Sequence, residues 1–217
     1  MTVIHDKYDK KQIQKLPRAL FGGRIITILS ESEAEKAIEY LMSQPILGFD
    51  TETRPCFRKG HTNKVALLQV STHDTCFLFR LNRIGLPDCI KRLLSDCSIT
   101  KVGLSLQDDL RVLNQRSEFT PGTFIELQKE VRDIGIEDMS LQKIFANLFE
   151  EKIAKNQQLS NWEADSLTEA QQLYAATDAW ACIRIHEEIK RLKETGDYTL
   201  IKAPTPEVEA PSPSPEE

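Results

Sequence analysis

Residues 46–52 read ILGFDTE, a short apolar run that ends in two carboxylates one residue apart. In an extended strand successive side chains leave on opposite faces, so Asp50 and Glu52 project from one side and Thr51 from the other. Two carboxylates on one face make a two-pronged oxygen ligand for a hard cation. Spacing alone does not single them out: 33 of 217 residues are acidic, and acid-x-acid recurs at Glu31/Glu33, Glu33/Glu35, Glu163/Asp165 and Glu207/Glu209. Placement does. Leu47 and Phe49 precede the pair in a segment that reads as a buried strand, where charge is costly without a metal or a partner.

Working outward, RIITIL at 24–29 is β-branched and strand-like, and the following SESEAEKAIEYLM sets Ala34, Ala37, Ile38 and Leu41 at helical spacing behind a Ser30 or Ser32 cap. Val65–Ser71 and Thr75–Phe79 are apolar runs joined by THD, which predicts an antiparallel hairpin beside the first strand. Residues 86–94 read as a helix with Pro87 in its first turn, 99–102 as a short strand, and the stretch after Gly103 as a helix with Leu106, Leu110 and Leu113 on one face. From 123 to 148 the period is mostly helical, with a break at 134–138, and 156–162 is a polar loop. Ser166-Leu-Thr-Glu169 matches a capping box that opens the longest helical pattern, running to about Lys193. Helices following strands in this order predict an α/β fold, one mixed sheet with helices laid on it.

The length suits one well-buried domain. Its expected limits are 21–197, with residues 1–20 a polar arm that either packs or stays loose, and 198–217 a disordered tail, because the Pro-rich, acidic APTPEVEAPSPSPEE has nothing to bury. A hydrophobic content of 40% and a charged content of 28% are those of an ordinary soluble globular protein. The net charge of −5 argues against a general coat of positive charge, though a local basic strip is compatible with it. Five cysteines without a C-x-x-C pair suggest neither a disulfide framework nor a zinc site, and a reducing cytoplasm is the simplest home. No apolar run approaches the ~18 residues of a membrane span.

Two further acidic positions stand out. YAATDA at 174–179 puts Tyr174 and Asp178 four residues apart, on one helix face, where a hydroxyl and a carboxylate can address one spot. VGLSLQDDL at 102–110 carries Asp108 and Asp109 at a strand-to-helix crossing, although acids in a first helical turn also favour the helix dipole. The loop TRPCFRKGHTNK, 53–64, holds Arg54, Arg58, Lys59 and Lys64 and no acid. Directly after the acidic strand it is suited to draw in a phosphate backbone, with Phe57 stacking on a base; an ordinary solvated loop is the alternative.

Taken together, GFDTE (48–52), VALLQVST (65–72), KVGLSLQDDLRVL (101–113) and LSNWEADSLTEAQQLYAATDAWA (159–181) resemble, in that order, the motifs of the DEDD 3′-to-5′ exonucleases. The branch is the tyrosine type, which includes ribonuclease D and the Werner-syndrome exonuclease domain. The likeness spans roughly residues 20–195. It implies a ribonuclease-H-like mixed sheet of about five strands flanked by helices. It also implies a catalytic set of Asp50, Glu52, Asp109, Asp178 and Tyr174, with the four carboxylates holding two Mg²⁺ or Mn²⁺ ions. Asp109 is chosen over Asp108 by its offset from Gly103. The implied reaction is hydrolysis of phosphodiester bonds from the 3′ end of DNA or RNA. A module that keeps the fold and binds nucleic acid or protein without catalysis is the alternative; the complete acidic set favours the enzyme. The lack of room after residue 200 for the helical RNA-binding domains of ribonuclease D tilts the expectation slightly away from a dedicated tRNA-processing enzyme.

Overall fold

The structure is a computed structural model, and it describes residues 1–58, 60 and 62–203. The chain runs β1 (Thr2–His5), α1 (Lys10–Ile13), β2 (Arg24–Ile28), α2 (Glu31–Leu41), β3 (Ile46–Thr53), β4 (Val65–Ser71), β5 (Thr75–Phe79), α3 (Leu81–Ile84) and α4 (Asp88–Ser95). It continues through β6 (Thr100–Gly103), α5 (Leu106–Asn114), β7 (Phe124–Glu126), α6 (Leu127–Asp133), α7 (Leu141–Phe149), α8 (Glu169–Thr195) and β8 (Tyr198–Ile201). The main sheet has the order β2-β5-β4-β3-β6-β7. β3, β4 and β5 pair antiparallel as the expected hairpin beside the acidic strand, while β2, β6 and β7 join in parallel.

The sheet has six strands rather than about five. The extra one, Phe-Ile-Glu at 124–126, is a three-residue edge strand inside a stretch whose period reads as helical. What recruits it is tertiary: Phe124 packs edge-on against Phe49, with ring centroids 5.3 Å apart.

Pleating sorts the core into two layers. Leu47, Phe49, Leu68, Val70, Phe77 and Phe79 face α2 and α4, packing on Ile38, Leu41, Ile90 and Leu93. The other face carries Gly48, Asp50 and Glu52 of β3 and lies under α8. There a Cβ on Gly48 would sit 1.9 Å from the Ala179 carbonyl oxygen, so only glycine lets strand and helix approach so closely. α8 starts at a capping box formed by Thr168 and Gln171, two residues beyond the predicted Ser166–Glu169 box, and α2 starts at one formed by Ser30 and Glu33. In both, the side chains satisfy the free N–H groups of the first turn.

Two expectations at the termini change. The N-terminal arm is packed: β1 pairs in parallel with β8, and Ile4 is buried beside Ile189 and Leu192. Asn147 brackets His5, accepting from its N–H at 2.8 Å and donating to its carbonyl at 2.7 Å. The segment expected to be disordered from 198 therefore begins with a strand, because β1 offers it a ladder of backbone partners. The remainder of the predicted tail, 204–217, lies outside the described residues. Among the described residues no helix is long and apolar enough to cross a membrane.

Candidate active site

The apolar half of β3 anchors the strand in the core and delivers Asp50 and Glu52 to the face under α8. α8 brings Asp178 down onto the same spot. One oxygen from each of Asp50, Glu52 and Asp178 lies within 4.8 Å of the others. Like charges gathered out of water disfavour ionisation. Burial first, and then Asp109, Glu52 and Asp178, hold the Asp50 carboxyl well above the usual range. Burial, with Asp178 and Asp109 beside it, pushes Glu52 up to about 9. Asp178 is pushed up to about 7 by burial, against the hydrogen bond from Tyr174 and the nearby charge of Lys155.

Asp109 comes from the opposite side of the strand. It accepts a 2.5 Å hydrogen bond from the Thr51 hydroxyl, the one side chain of the Asp-Thr-Glu triplet that points away from the cluster. It stands outside the three-oxygen group, yet its charge is the largest neighbouring influence on Asp50. Burial pushes it up to about 7. Asp108, by contrast, is exposed and paired with Arg111 at 3.0 Å.

The placement of Asp109 is built by Glu126, whose carboxylate accepts from the N–H groups of Ser105 and Leu106 at 3.0 and 2.8 Å and so ties the start of α5 to the end of β7. Gly103 allows the turn: a Cβ there would meet Leu106 Cδ2 at 2.5 Å and the Phe49 carbonyl oxygen at 2.9 Å.

Tyr174 sits one helical turn before Asp178 and donates its hydroxyl proton to that carboxylate. Burial, followed by the surrounding acids, raises the phenol far above its ordinary value, so it remains a donor. Its ring is tilted against buried Trp162, 6.0 Å between centroids. The loop carrying Trp162 is held from α3, where Arg80 donates to the Ala164 carbonyl and Arg83 to the Asp165 carbonyl.

A cavity of about 360 Å³ opens over Asp50, Glu52, Asp178 and Tyr174. Its rim includes Met139, Gln142, Lys155 and Gln158. None of the predicted substrate residues lines it. Arg54 is paired with Glu163 at 3.3 Å, Phe57 is 89% exposed, Arg58 and Lys64 are exposed, and Lys59 lies outside the described residues. Lys155 is the cationic side chain that faces the cavity. A single lysine in a polar loop carries no sequence signal of such a role.

The residues present fit a divalent cation. The donor set is all oxygen, as hard cations require, and the buried Oδ1 of Asp178 has no hydrogen-bond partner.

A sequence profile described as 3′-5′ exonuclease matches residues 25–194. The chain belongs to the 3′-5′ exonuclease family. Its carboxylate cluster is accordingly the candidate centre of a nuclease, a hydrolase acting on nucleic acid.

Among the relatives of this exonuclease is the mouse bifunctional 3′-5′ exonuclease/ATP-dependent helicase WRN, 29% identical over 199 residues, which cover 87% of this chain and 14% of that protein. The Drosophila melanogaster exonuclease 3′-5′ domain-containing protein 2 is 33% identical over 150 residues, 67% of this chain and 25% of that one. The chain therefore spans a minor part of the length of both. Escherichia coli RNase D shares the fold, with a TM-score of 0.70 at 22% identity, covering 80% of this chain and 45% of that one.

Proposed function

We propose that this chain removes nucleotides from the 3′ end of a DNA or RNA strand by hydrolysing the terminal phosphodiester bond, with two Mg²⁺ or Mn²⁺ ions as cofactors. The observation that carries this reading is the convergence of Asp50, Glu52 and Asp178 within 4.8 Å at the floor of an open cavity. These three would hold the ions, with Asp109 reaching one of them through water. Bound there, a pair of divalent cations supplies Lewis-acid stabilisation of the attacking and leaving oxygens.

The rest falls to the side chains. Tyr174, fixed by Asp178 on one side and Trp162 on the other, donates its hydrogen bond where an attacking water must be oriented. Lys155 faces the scissile phosphate and offsets its charge. Gln142 and Gln158 on the rim offer amides to the sugar and phosphate. The exposed bases of the 53–64 loop attract the strand farther from the chemistry. The five cysteines are free thiols, which suits the reducing cytoplasm in which we place the protein.

The test uses labelled single-stranded and recessed DNA and RNA, each with Mg²⁺, Mn²⁺ or EDTA. Stepwise shortening from the 3′ end with metal, none with EDTA, and none beyond a trace for Asp50→Ala is the expected result. Tight binding without shortening of any substrate would instead establish a noncatalytic module. Tyr174→Phe keeps the carboxylates and shows a milder loss of rate than Asp50→Ala.

A further inference from the structure

Gln69 lies directly opposite Asp50 in the β3–β4 ladder. Opposed residues of an antiparallel pair share a face with Cβ atoms about 4.5–5.5 Å apart, so the Gln69 amide is within reach of the Asp50 carboxylate. This is the face closed by α8: Gly48 abuts Ala179, and Leu67, two residues before Gln69, packs with Ala175 and Ala176. Gln69 is completely buried there, and neither its Nε2 nor its Oε1 has a hydrogen-bond partner among the described residues. A buried amide left without partners is a net cost to folding, and an apolar side chain of equal length fills the same space without it. Packing therefore gives no reason for glutamine at this position. Across the ladder, Asp50 is equally short of partners: its buried carboxylate draws on the backbone N–H of Thr51, and no side chain donates to it among the described residues.

We propose that Gln69 is a positioning residue for Asp50, donating an amide N–H to the carboxylate oxygen that faces away from the cation site. A carboxylate that binds metal with one oxygen and is hydrogen-bonded at the other is fixed in direction and remains ionised more readily. Gln69 sits on a central strand and cannot swing away, so it presets the ligand before any cation arrives. The inference rests on the proposed metal-dependent function and assigns a residue that does not itself touch metal or substrate.

The experiment compares the full chain with Gln69→Met and Gln69→Asn by three readouts: Mn²⁺ affinity by calorimetry, Tm in EDTA, and kcat and KM on a labelled oligonucleotide. Gln69→Met retains side-chain length while removing the amide, so Tm in EDTA stays level or rises. Its Mn²⁺ affinity falls about tenfold or more, the scale seen when a residue supporting a metal ligand is removed, and kcat falls with KM unchanged. Gln69→Asn keeps an amide but withdraws it by one methylene, and shows the same loss of Mn²⁺ affinity. Unchanged affinity and kcat in both variants overturns the inference, as does a fall in Tm with unchanged affinity, which assigns Gln69 to packing. Wild-type protein that binds no Mn²⁺ and shortens no oligonucleotide overturns the metal-dependent function itself, and the inference with it; wild-type binding matched by the variants overturns the inference alone.

Discussion

Four carboxyl groups that resist ionisation make the site costly to the fold when no cation is bound. Between the ordinary carboxylate value and the raised folded value, the folded protein holds protons that the unfolded chain has released, so stability falls as pH rises. For Glu52, pushed to about 9, and Asp109 and Asp178, pushed to about 7, that window runs from about pH 4 to pH 9. In EDTA the Tm should decline across this window, and Mn²⁺ should restore it most at the alkaline end. Asp50→Asn removes one member of the cluster: its metal-free Tm should be higher and less pH-dependent, while the Mn²⁺-induced rise disappears. A thermal scan in EDTA that is flat from pH 5 to pH 9 would contradict this account. Charge outside the cluster is tested through Lys155. Lys155→Glu should weaken oligonucleotide binding and lower the slope of log affinity against log salt by roughly one. An unchanged slope would remove Lys155 from the substrate path. At this scale the sequence carried Asp50, Glu52, Asp109, Tyr174 and Asp178, because alternation and helical spacing place them. It did not carry Lys155 or the pairing of Arg54 with Glu163, which depend on where two loops settle.

The site is assembled by the contact of β3 with α8, and Gly48 sets its closeness. Gly48→Ala puts a methyl against the Ala179 carbonyl, a backbone atom that yields only if the helix lifts from the sheet. The expected cost is about 3 kcal/mol, a Tm loss of roughly 6–12 °C. Activity should fall further than the folded fraction does, since Asp178 moves away from Asp50; activity that tracks the folded fraction alone would argue against this coupling. Most elements were legible from their periods, including the hairpin and the long helix. β7 was not, because three residues are too few to show a period of two and its pairing with β6 comes from outside the segment. The start of α8 was displaced by two residues: Ser166 and Glu169 have the right spacing, but Thr168 and Gln171 have it too, and they satisfy both N–H groups.

The whole molecule is closed by joining its ends. Ile4 packs beneath α8 through a two-stranded sheet that links residues nearly two hundred positions apart. Ile4→Ala should therefore destabilise by about 2–5 kcal/mol, read by chemical denaturation, whereas a loose arm would tolerate it within roughly 0.5 kcal/mol. By itself the sequence determined the central hairpin, the helices on either side and the carboxylates of the site, since all of these follow from local periodicity and from acids placed at the ends of apolar runs. Only the tertiary structure decided that the arm and residues 198–201 form strands, that the sheet has a sixth member, and that Asp109 approaches by way of Thr51 instead of joining the cluster. Each of these depends on partners distant in the chain, and a short polar segment carries no mark of the strand or side chain that will complete it.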